Sequence, residues 1–221
     1  MDLSVIITTI NLAVLTTSIL FCIGIPVAYW LNESQNKFIS FIDALISLPL
    51  VLPPSVLGYY LLITFSPSNG LGKILQKYFN ASLVFNFEGM VFASVIFGLP
   101  FMIQPLKSAL ANLPTSLKEA SYTLGKSKTK TLFYVLLPNI RPSILAAVIL
   151  TFTHTLGEFG VILMIGGNIP GKTRVASIAI YDEVQAMNYK VANLYSVSLL
   201  IVSFVALTLV YRANRNSKVL I

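Results

Sequence analysis

The stretch VIITTINLAVLTTSILFCIGIPVAYWL, from Val5 to Leu31, runs without a single charged residue. About 20 consecutive apolar residues are enough to cross a bilayer as an α-helix. The stretch is longer than the hydrophobic region of a signal peptide, and no basic segment precedes it. We therefore predict that it forms a retained membrane-spanning helix.

The composition of the whole chain extends this prediction. Hydrophobic residues make up 56% of the 221 residues and charged residues only 10%, with a mean hydropathy of +0.81, whereas soluble domains carry about 25% charged residues. Four further stretches are long and apolar enough to span a bilayer, at about 44–65, 89–110, 142–165 and 191–211. The sequence thus predicts an all-α polytopic transmembrane helix bundle of about five spans, forming one membrane domain over residues 1–221.

Basic residues fall unequally on the two sets of connections between these spans. One set carries ten of them: Lys37, Lys107, Lys118, Lys126, Lys128, Lys130, Arg141, Arg212, Arg215 and Lys218. The other set carries five: Lys73, Lys77, Lys172, Arg174 and Lys190. Because short cytoplasmic connections collect Lys and Arg, we expect the first set to be cytoplasmic, the amino terminus outside and the carboxyl terminus inside. The net charge of +7 reflects this bias, so no nucleic-acid partner is expected.

The stretch GGNIPGKT, from Gly166 to Thr173, matches the phosphate-binding pattern G-x-x-x-x-G-K-[ST]. A working phosphate-binding loop follows a strand, opens a helix and meets ATP in the cytoplasm. This stretch follows a predicted span and lies in an external connection. We interpret it as an external turn rather than a nucleotide site.

One cytoplasmic connection, 112–138, is predicted to form a pair of short helices. Apolar residues recur there at helical spacing, namely Leu113, Leu117, Ala120 and Leu124. Ser116 and Glu119 are spaced as a capping box that begins the first helix, and Gly125 suits the left-handed conformation that ends it. The second helix is expected to end before Pro138. A basic amphipathic segment of this kind fits either lipid headgroups or a cytoplasmic partner.

The same connection carries a family resemblance. Glu119-Ala120-Ser121, followed by Gly125 and later by Val135-Leu136-Leu137-Pro138, resembles the EAA loop of the inner-membrane permeases of binding-protein-dependent ABC importers. That family prefers Ala at position 121 and Ile at position 135. Three further stretches resemble its molybdate-transporting members: LPLVLPPSVLGYYLL at 48–62, LGEFG at 156–160 and GNIPGKTR at 167–174. Sulfate-transporting members share weaker versions, so tungstate and sulfate stay open as substrates.

The resemblance implies the permease subunit of an ATP-driven molybdate importer in a bacterial or archaeal inner (plasma) membrane. The implied partners are a second copy of the chain, a cytoplasmic ATP-binding subunit dimer, an extracytoplasmic oxyanion-binding protein and membrane lipid. Because the ATP-binding subunit hydrolyses ATP in such importers, this chain is expected to be no enzyme and to carry no cofactor. The residues implied in coupling to the ATPase are Ser116, Glu119, Ala120, Ser121, Gly125 and Pro138.

Three prolines interrupt the second span, Pro49, Pro53 and Pro54. Each removes a backbone hydrogen bond and strains a helix, so we predict a broken or kinked element. We interpret this element, with Ser55 beside it, as lining the pathway and moving at its gate; a static kink is the alternative. An ion-coupled secondary carrier is the alternative class of function, but carriers usually have broken helices in both halves, and only one proline-rich break is prominent in this sequence.

His154 and Glu158 are strongly titratable side chains predicted inside a span, and their spacing of four puts them on one helix face. Intramembrane ionisable residues favour a functional role. Because a carboxylate repels a dianion, we assign Glu158, with its neighbour Gly157, to structure or gating rather than to substrate contact. One His and one acid are too few ligands for a metal site, so none is expected.

Overall fold

The computed structural model describes residues 2–34 and 36–217, and its regular structure there is helical. The helices are α1 (Leu3–Glu33), α2 (Ile39–Ser47), α3 (Pro54–Phe65), α4 (Gly70–Phe79), α5 (Phe87–Ala111), α6 (Thr115–Thr123), α7 (Lys128–Thr131), α8 (Leu137–Asn139), α9 (Arg141–Leu156), α10 (Gly160–Gly166), α11 (Ala176–Gln185) and α12 (Tyr189–Ser217). A 3-10 turn at Leu48–Leu50 extends α2, and a π turn at Leu132–Leu136 joins α7 to α8. The predicted all-α class is confirmed. Lys218, one of the cations expected in the cytoplasm, lies outside the described residues.

Three helices in the described part of the chain, α1, α5 and α12, are each long and apolar enough to cross a membrane. Two bent helix pairs, Ile39–Leu50 with Pro54–Phe65 and Lys128–Asn139 with Arg141–Leu156, bring the number of spans to five at most. Helices α1 and α5 pack closely through two glycines. A Cβ atom on Gly24 would lie 2.6 Å from Met102 Cγ, and one on Gly98 would lie 2.7 Å from Leu20 Cδ1. Leu20 of α1 thus lies against Gly98 of α5, and Gly24 lies against Met102. Because both residue numbers increase together, the two helices run in the same direction, as the first and third spans of an alternating bundle must.

The two ends of the bundle carry different loops. At one end the start of α1 meets α11, where the backbone N–H of Ala176 donates to Thr9 Oγ1 at 2.8 Å. At the other end Lys118 of α6 forms an ion pair with Glu33, the last residue of α1. We call this second end the basic end, because it carries α6 to α8 and their cluster of lysines. It holds the connection 112–138 that the sequence assigns to the cytoplasm.

The second span is sharply broken, as its prolines predict. Helix α2 with its 3-10 turn lies at 109° to α3. The N–H groups of Val51 and Leu52 both turn back to Leu48 O, at 3.1 Å each. Pro53 is extended, with φ −55° and ψ 134°, and Pro54 begins α3, a position at which a missing N–H is tolerated. The prolines therefore end one helix and start another in a different direction.

The fourth span, expected as one helix over 142–165, is also broken. Helix α9 ends and α10 begins within it, and Gly157, Glu158 and Phe159 lie between them. The Gly157 N–H closes the last turn onto His154 O at 3.2 Å. The prediction that His154 and Glu158 share a helix face is wrong, because the helix ends between them. The sequence showed only one proline-rich break, and this second break is marked by glycine instead.

Helix α6 begins differently from the sequence prediction. Pro114, with φ −57° and ψ 134°, occupies the cap position, Thr115 is the first helical residue, and no side chain caps the helix. The capping box predicted from Ser116 and Glu119 is therefore wrong. Ser116 lies within the first turn, because the extended proline already directs the chain into the helix.

The end of α6 has the predicted left-handed glycine. Gly125 has a φ of +71°. Its N–H donates to Tyr122 O at 2.9 Å, and the Lys126 N–H donates to Ser121 O at 3.1 Å. This pair of bonds is the Schellman arrangement that satisfies the last carbonyls of a helix.

The segment after Gly125 is longer than predicted. Helical structure continues through Pro138 to Asn139 instead of ending before the proline. In the π turn the Leu137 N–H donates to Leu132 O, five residues back. The α-helical bonding restarts there, so Pro138 falls in the first turn of α8, where its missing N–H is tolerated.

The stretch GGNIPGKT forms a closed turn after α10. Gly167 and Gly171 are left-handed, with φ values of +69° and +71°. The buried Thr173 hydroxyl donates to Gly166 O at 2.7 Å and accepts from the Ile169 N–H at 2.9 Å. In a phosphate-binding loop this hydroxyl would face Mg²⁺, whereas here it is used inside a turn that follows a helix. The geometry supports the interpretation of this stretch as a turn.

We expect Thr173→Val to destabilise the protein. Valine has nearly the shape of threonine, but it leaves the buried Gly166 carbonyl and the part-buried Ile169 N–H without that partner, and an unpaired buried polar group costs about 1–3 kcal/mol. Thr173→Ser keeps the hydroxyl and should recover most of the loss. Thermal unfolding of the detergent-purified chain measures both effects. Lys172 is exposed, so Lys172→Ala is the control and should leave the melting temperature unchanged. Equal stability of the valine variant and the wild type would contradict this role of the hydroxyl.

Candidate functional site

A cavity of about 640 Å³ lies where the two broken spans meet. It is bounded by the starts of α3 and α10, the last turn of α9, the break between α9 and α10, and one aromatic ring of α5. Its lining residues are Pro54, Ser55, Phe97, Thr153, His154, Gly157, Glu158, Phe159 and Gly160. The cavity is therefore built from both breaks and not from the surface of a regular helix.

Glycines bring α3 and α10 together side by side. A Cβ atom on Gly58 would lie 2.9 Å from Met164 Cβ, and one on Gly160 would lie 3.2 Å from the backbone nitrogen of Ser55. These pairings mean that the two helices run parallel and begin at the same level. The first N–H groups of a helix lack partners within it. Pro54 has none, so the first backbone donor of α3 belongs to Ser55, at the cavity.

Glu158 ties the second break to two neighbouring helices. The residue is only 4% exposed. Its Oε2 accepts a hydrogen bond from Ser94 Oγ of α5 at 2.7 Å, and its backbone carbonyl accepts one from Ser177 Oγ of α11 at 2.6 Å. The other carboxyl oxygen, Oε1, is buried and has no hydrogen-bond partner among the described residues. The side chain thus anchors the break to α5 and also lines the cavity.

His154 is held by aromatic rings and not by Glu158. Its imidazole stacks on Phe101, with ring centroids 3.8 Å apart and planes at 26°, and lies 5.0 Å from the ring of Phe97. Its Nε2 is buried without a partner in the described part of the chain. Within residues 2–34 and 36–217 no three His, Cys, Asp or Glu side chains are close enough together to share a metal ion.

The cavity brings together four of the predicted pathway residues, Pro54, Ser55, Gly157 and Glu158. Pro53 immediately precedes them in the first break. Pro49 is buried elsewhere, in a smaller cavity of about 300 Å³ lined by residues of α2, α3 and α5. The lining residues that sequence reasoning did not select are Phe97, Thr153, Phe159 and Gly160. Gly157 and Gly160, on either side of the intramembrane Glu158, are the sequence signal for the second break.

A polar network fixes α2 against α5. Lys107 forms an ion pair with Asp43. Gln104 Nε2 donates to Asp43 Oδ1 at 2.9 Å and to Ser47 Oγ at 2.8 Å. The two halves of the second span therefore have different partners, since α2 is bonded to α5 and α3 packs on α10.

The second candidate site is the outer face of α6 at the basic end. Glu119, Ala120 and Leu124 are exposed there, Leu124 to 77%, and we call these three residues the α6 surface. Ser121 is buried instead, and its hydroxyl is hydrogen-bonded to that of Thr131 of α7 at 2.9 Å. The bond fixes α6 on α7, so the α6 surface is held in place while its own side chains remain uncovered.

At the opposite end, the turn after α10 is cross-linked to α11. Arg174 forms an ion pair with Asp182. Asn168 bridges the same two residues, because its Oδ1 accepts from Arg174 Nε at 3.1 Å and its Nδ2 donates to Asp182 Oδ2 at 2.8 Å. Lys172 is exposed. Of the two cations in this turn, only Lys172 is therefore left uncovered.

Comparison with known proteins bears on the whole chain. Residues 20–217 match the family described as "Binding-protein-dependent transport system inner membrane component". The chain is 43% identical over 214 residues to the molybdenum transport system permease protein ModB of Azotobacter vinelandii, covering 97% of this chain and 95% of that one. It is 34% identical over 195 residues to a probable sulfate transport system permease protein, cysT, of Marchantia polymorpha, covering 88% and 67% respectively.

Two solved structures share the fold. A chain of the MetNI methionine ABC transporter in inward-facing conformations aligns with a TM-score of 0.75 at 19% identity, covering 96% of this chain and 94% of that one. A chain of a bacterial alginate ABC transporter, solved with its pentasaccharide-bound periplasmic protein, aligns with a TM-score of 0.79 at 19% identity, covering 97% and 78%. At these identities the likeness concerns the fold alone.

These matches confirm the resemblance that the sequence carries around Glu119 and Pro138. They also confirm the expectation that the chain is a transport component and not an enzyme, because the family consists of membrane components of transport systems. The family match spans both helix breaks, the cavity and the α6 surface. The chain belongs to the family of binding-protein-dependent transport system inner membrane components.

Proposed function

We propose that this chain is the permease subunit of an ATP-driven importer of molybdate. The observation that carries the proposal is the 43% identity to a molybdenum transport system permease over 97% of the chain. The identity to the sulfate permease is lower, at 34%, and that match covers only 67% of the relative. Sulfate is therefore the second candidate substrate, and tungstate, an oxyanion of the same charge and shape as molybdate, is the third.

Import of a dianion requires an energy source. Entry into a cell that is negative inside costs roughly 2.3 kcal/mol per charge for each 100 mV, and about 1.4 kcal/mol more for each tenfold concentration gradient. The stretch of this chain that matches a phosphate-binding pattern uses its threonine hydroxyl in its own turn. We assign ATP hydrolysis to a cytoplasmic ATP-binding subunit dimer.

The cavity at the two breaks is assigned to the translocation pathway, which two copies of the chain complete as a homodimer. Ser55 and Thr153 line it with hydroxyl groups, and the backbone start of α3 opens onto it. Among the residues that the structure describes, no Lys or Arg lines it, so an oxyanion is not held tightly and is free to leave. Selection among oxyanions is accordingly assigned to the extracytoplasmic binding protein.

Glu158 is assigned a structural or gating role and not substrate contact. Its carboxylate would repel a dianion in the cavity. Its bond to Ser94 joins the break after α9 to α5, and Gly157 beside it gives the backbone freedom to move there. Pro49, Pro53 and Pro54 produce the matching break in the second span, so that α3 and α10 move together as one packed pair.

The α6 surface is assigned to contact with the ATPase. Glu119 and Ala120 are exposed for that contact, while Ser121, Gly125 and Pro138 shape the helices that present them and Ser116 lies in the first turn of α6. The ion pair between Lys118 and Glu33 passes movement of α6 to α1. The lysines around α6 to α8 support a cytoplasmic position for the basic end, with the extracytoplasmic binding protein at the opposite end.

The second break weakens one sequence argument against an ion-coupled carrier, since such carriers place broken helices around their substrate. The family match and the α6 surface support the ATP-driven importer instead.

Lipid is the assigned partner of the apolar outer face of α12, on which Leu200 and Phe204 are both 67% exposed.

The substrate is tested by uptake into proteoliposomes that contain the chain, its ATP-binding subunit and the cognate binding protein. We expect ATP-dependent uptake of molybdate that excess unlabelled molybdate or tungstate abolishes and excess sulfate leaves nearly intact. The control is the same proteoliposomes without ATP on the side of the membrane that carries the ATP-binding subunit. Uptake that follows an imposed proton or sodium gradient without ATP would contradict the importer, and preferential uptake of sulfate would contradict the substrate.

Replacement of Gly125 tests the coupling. Gly125→Val forces a β-branched residue into a left-handed turn, although no atom lies within 4 Å of the position of its Cβ. We expect normal membrane insertion, weakened association with the ATPase and loss of most substrate-stimulated ATP hydrolysis. Gly125→Asn is the matched control, because asparagine tolerates this conformation, and it should retain most of the activity. Full coupling in the valine variant would show that the turn does not position the α6 surface.

Two replacements of Glu158 separate structure from gating. Glu158→Gln preserves an acceptor for Ser94 and should keep most of the stability and transport. Glu158→Leu leaves the buried Ser94 hydroxyl without a partner, which costs about 1–3 kcal/mol, and should lower the melting temperature of the purified complex. Ser94→Ala in the leucine background should restore part of that loss. If both Glu158 variants are stable and neither transports, the carboxylate itself acts in the gate or the pathway.

A further inference from the structure

Helix α4, at the end opposite to the basic end, has an apolar face that nothing in the described chain covers. Leu71, Ile74 and Tyr78 recur at helical spacing on that face and are 51%, 50% and 70% exposed, and the adjacent Phe79 is 73% exposed. Lys73, Gln76 and Lys77 lie on the other side of the helix. An exposed apolar stripe with cations opposite it is the pattern of a helix that lies in a membrane interface.

The position of α4 is fixed by its contact with the end of α3. A Cβ atom on Gly72 would lie 2.2 Å from the carbonyl oxygens of both Phe65 and Ser66. Only glycine lets the α4 backbone approach that closely. Four residues separate α4 from α3, and a connection of that length spans at most about 18 Å. Since α3 is the last half of a membrane span, α4 lies at the level where that span leaves the bilayer.

The charges of the segment specify the kind of surface. Between Phe65 and Glu88 the sequence contains Lys73 and Lys77 and no acidic residue. Lys77 Nζ lies 5.4 Å from the ring centroid of Tyr78, and aromatic rings beside lysines are typical of the headgroup region. A cationic helix with exposed aromatic residues complements the anionic headgroups of phospholipids.

We propose that α4 is an interfacial membrane anchor, which immerses its apolar face in the leaflet at this end of the bundle and binds anionic phospholipid headgroups through Lys73 and Lys77. The anchor holds the end of α3 at a fixed height in the membrane. This role is separate from the assigned substrate and from coupling to the ATPase, and it does not depend on either.

The depth of α4 is measured on the full chain in vesicles. Cys22 is the only cysteine of the chain, so Cys22→Ser provides a background for Ile74→Cys and Gln76→Cys, each labelled with an environment-sensitive fluorophore. The vesicles contain phosphatidylcholine and phosphatidylglycerol. We expect the fluorescence emission of the label at position 74 to be blue-shifted. Brominated acyl chains should quench it several-fold more than aqueous iodide does. The label at position 76 should show the reverse. Equal quenching by iodide at both positions would overturn the proposal.

Two further comparisons identify what covers the helix. Replacing phosphatidylglycerol by phosphatidylcholine should reduce the blue shift at position 74, and Lys73→Gln with Lys77→Gln should remove that dependence on lipid charge. Lys172→Gln, an exposed lysine outside α4, should not change it. A blue shift that is insensitive to lipid charge would overturn the headgroup contact. A shift that appears only at high protein density or after addition of the binding protein would show that a second copy or that partner covers α4 and would overturn the anchor.

Discussion

A backbone N–H or carbonyl inside a bilayer has no water to bind, so a helix break persists there only where the protein satisfies the groups that the break frees. The first break meets this constraint locally, because Pro53 O accepts from the N–H groups of Val56 and Leu57. The second uses a neighbouring helix, since the Ser177 hydroxyl donates to the backbone carbonyl of Glu158. Placing the two breaks side by side then produces a cavity with hydroxyl, carboxyl and backbone groups in an otherwise apolar bundle.

Close glycine contacts join four of the helices in two pairs. Helices α1 and α5 form one pair through Gly24 and Gly98, and ion pairs at the basic end hold α2 and α6 to it. Helices α3 and α10 form the other pair through Gly58 and Gly160, and one apolar core joins the two pairs. The hydrogen bond from Ser94 to Glu158 also links the first pair to the break before α10. On the proposed function, movement of α6 therefore reaches the cavity through α1 and α5, with that bond at the boundary.

The sequence was most informative where composition or covalent geometry decides the structure. Uninterrupted apolar length located α1, the prolines located the first break, and Gly125 located the end of α6. It failed where a long-range contact decides. Gly157 and Gly160 mark the second break, but they do not by themselves decide that a helix ends inside an apolar run, because the break depends on Ser94 and Ser177 to satisfy Glu158. Four of the cavity-lining residues were selected from the sequence, but Phe97, Thr153, Phe159 and Gly160 were not, because the lining is drawn from four helices. The capping box failed because Pro114 sets the helix start by itself.

The contacts at the start of α1 have a consequence for biosynthesis. The Thr9 hydroxyl accepts from the N–H of Ala176, 167 residues later, and the Asp2 N–H donates to Tyr195 Oη, 193 residues later. At a synthesis rate of about 5–20 residues per second, the first helix waits roughly 8–40 s for these partners. Until then the Thr9 hydroxyl bonds only within its own helix, where it donates to Val5 O at 2.7 Å. The order of translation therefore makes the last helices of the chain the ones that complete the first.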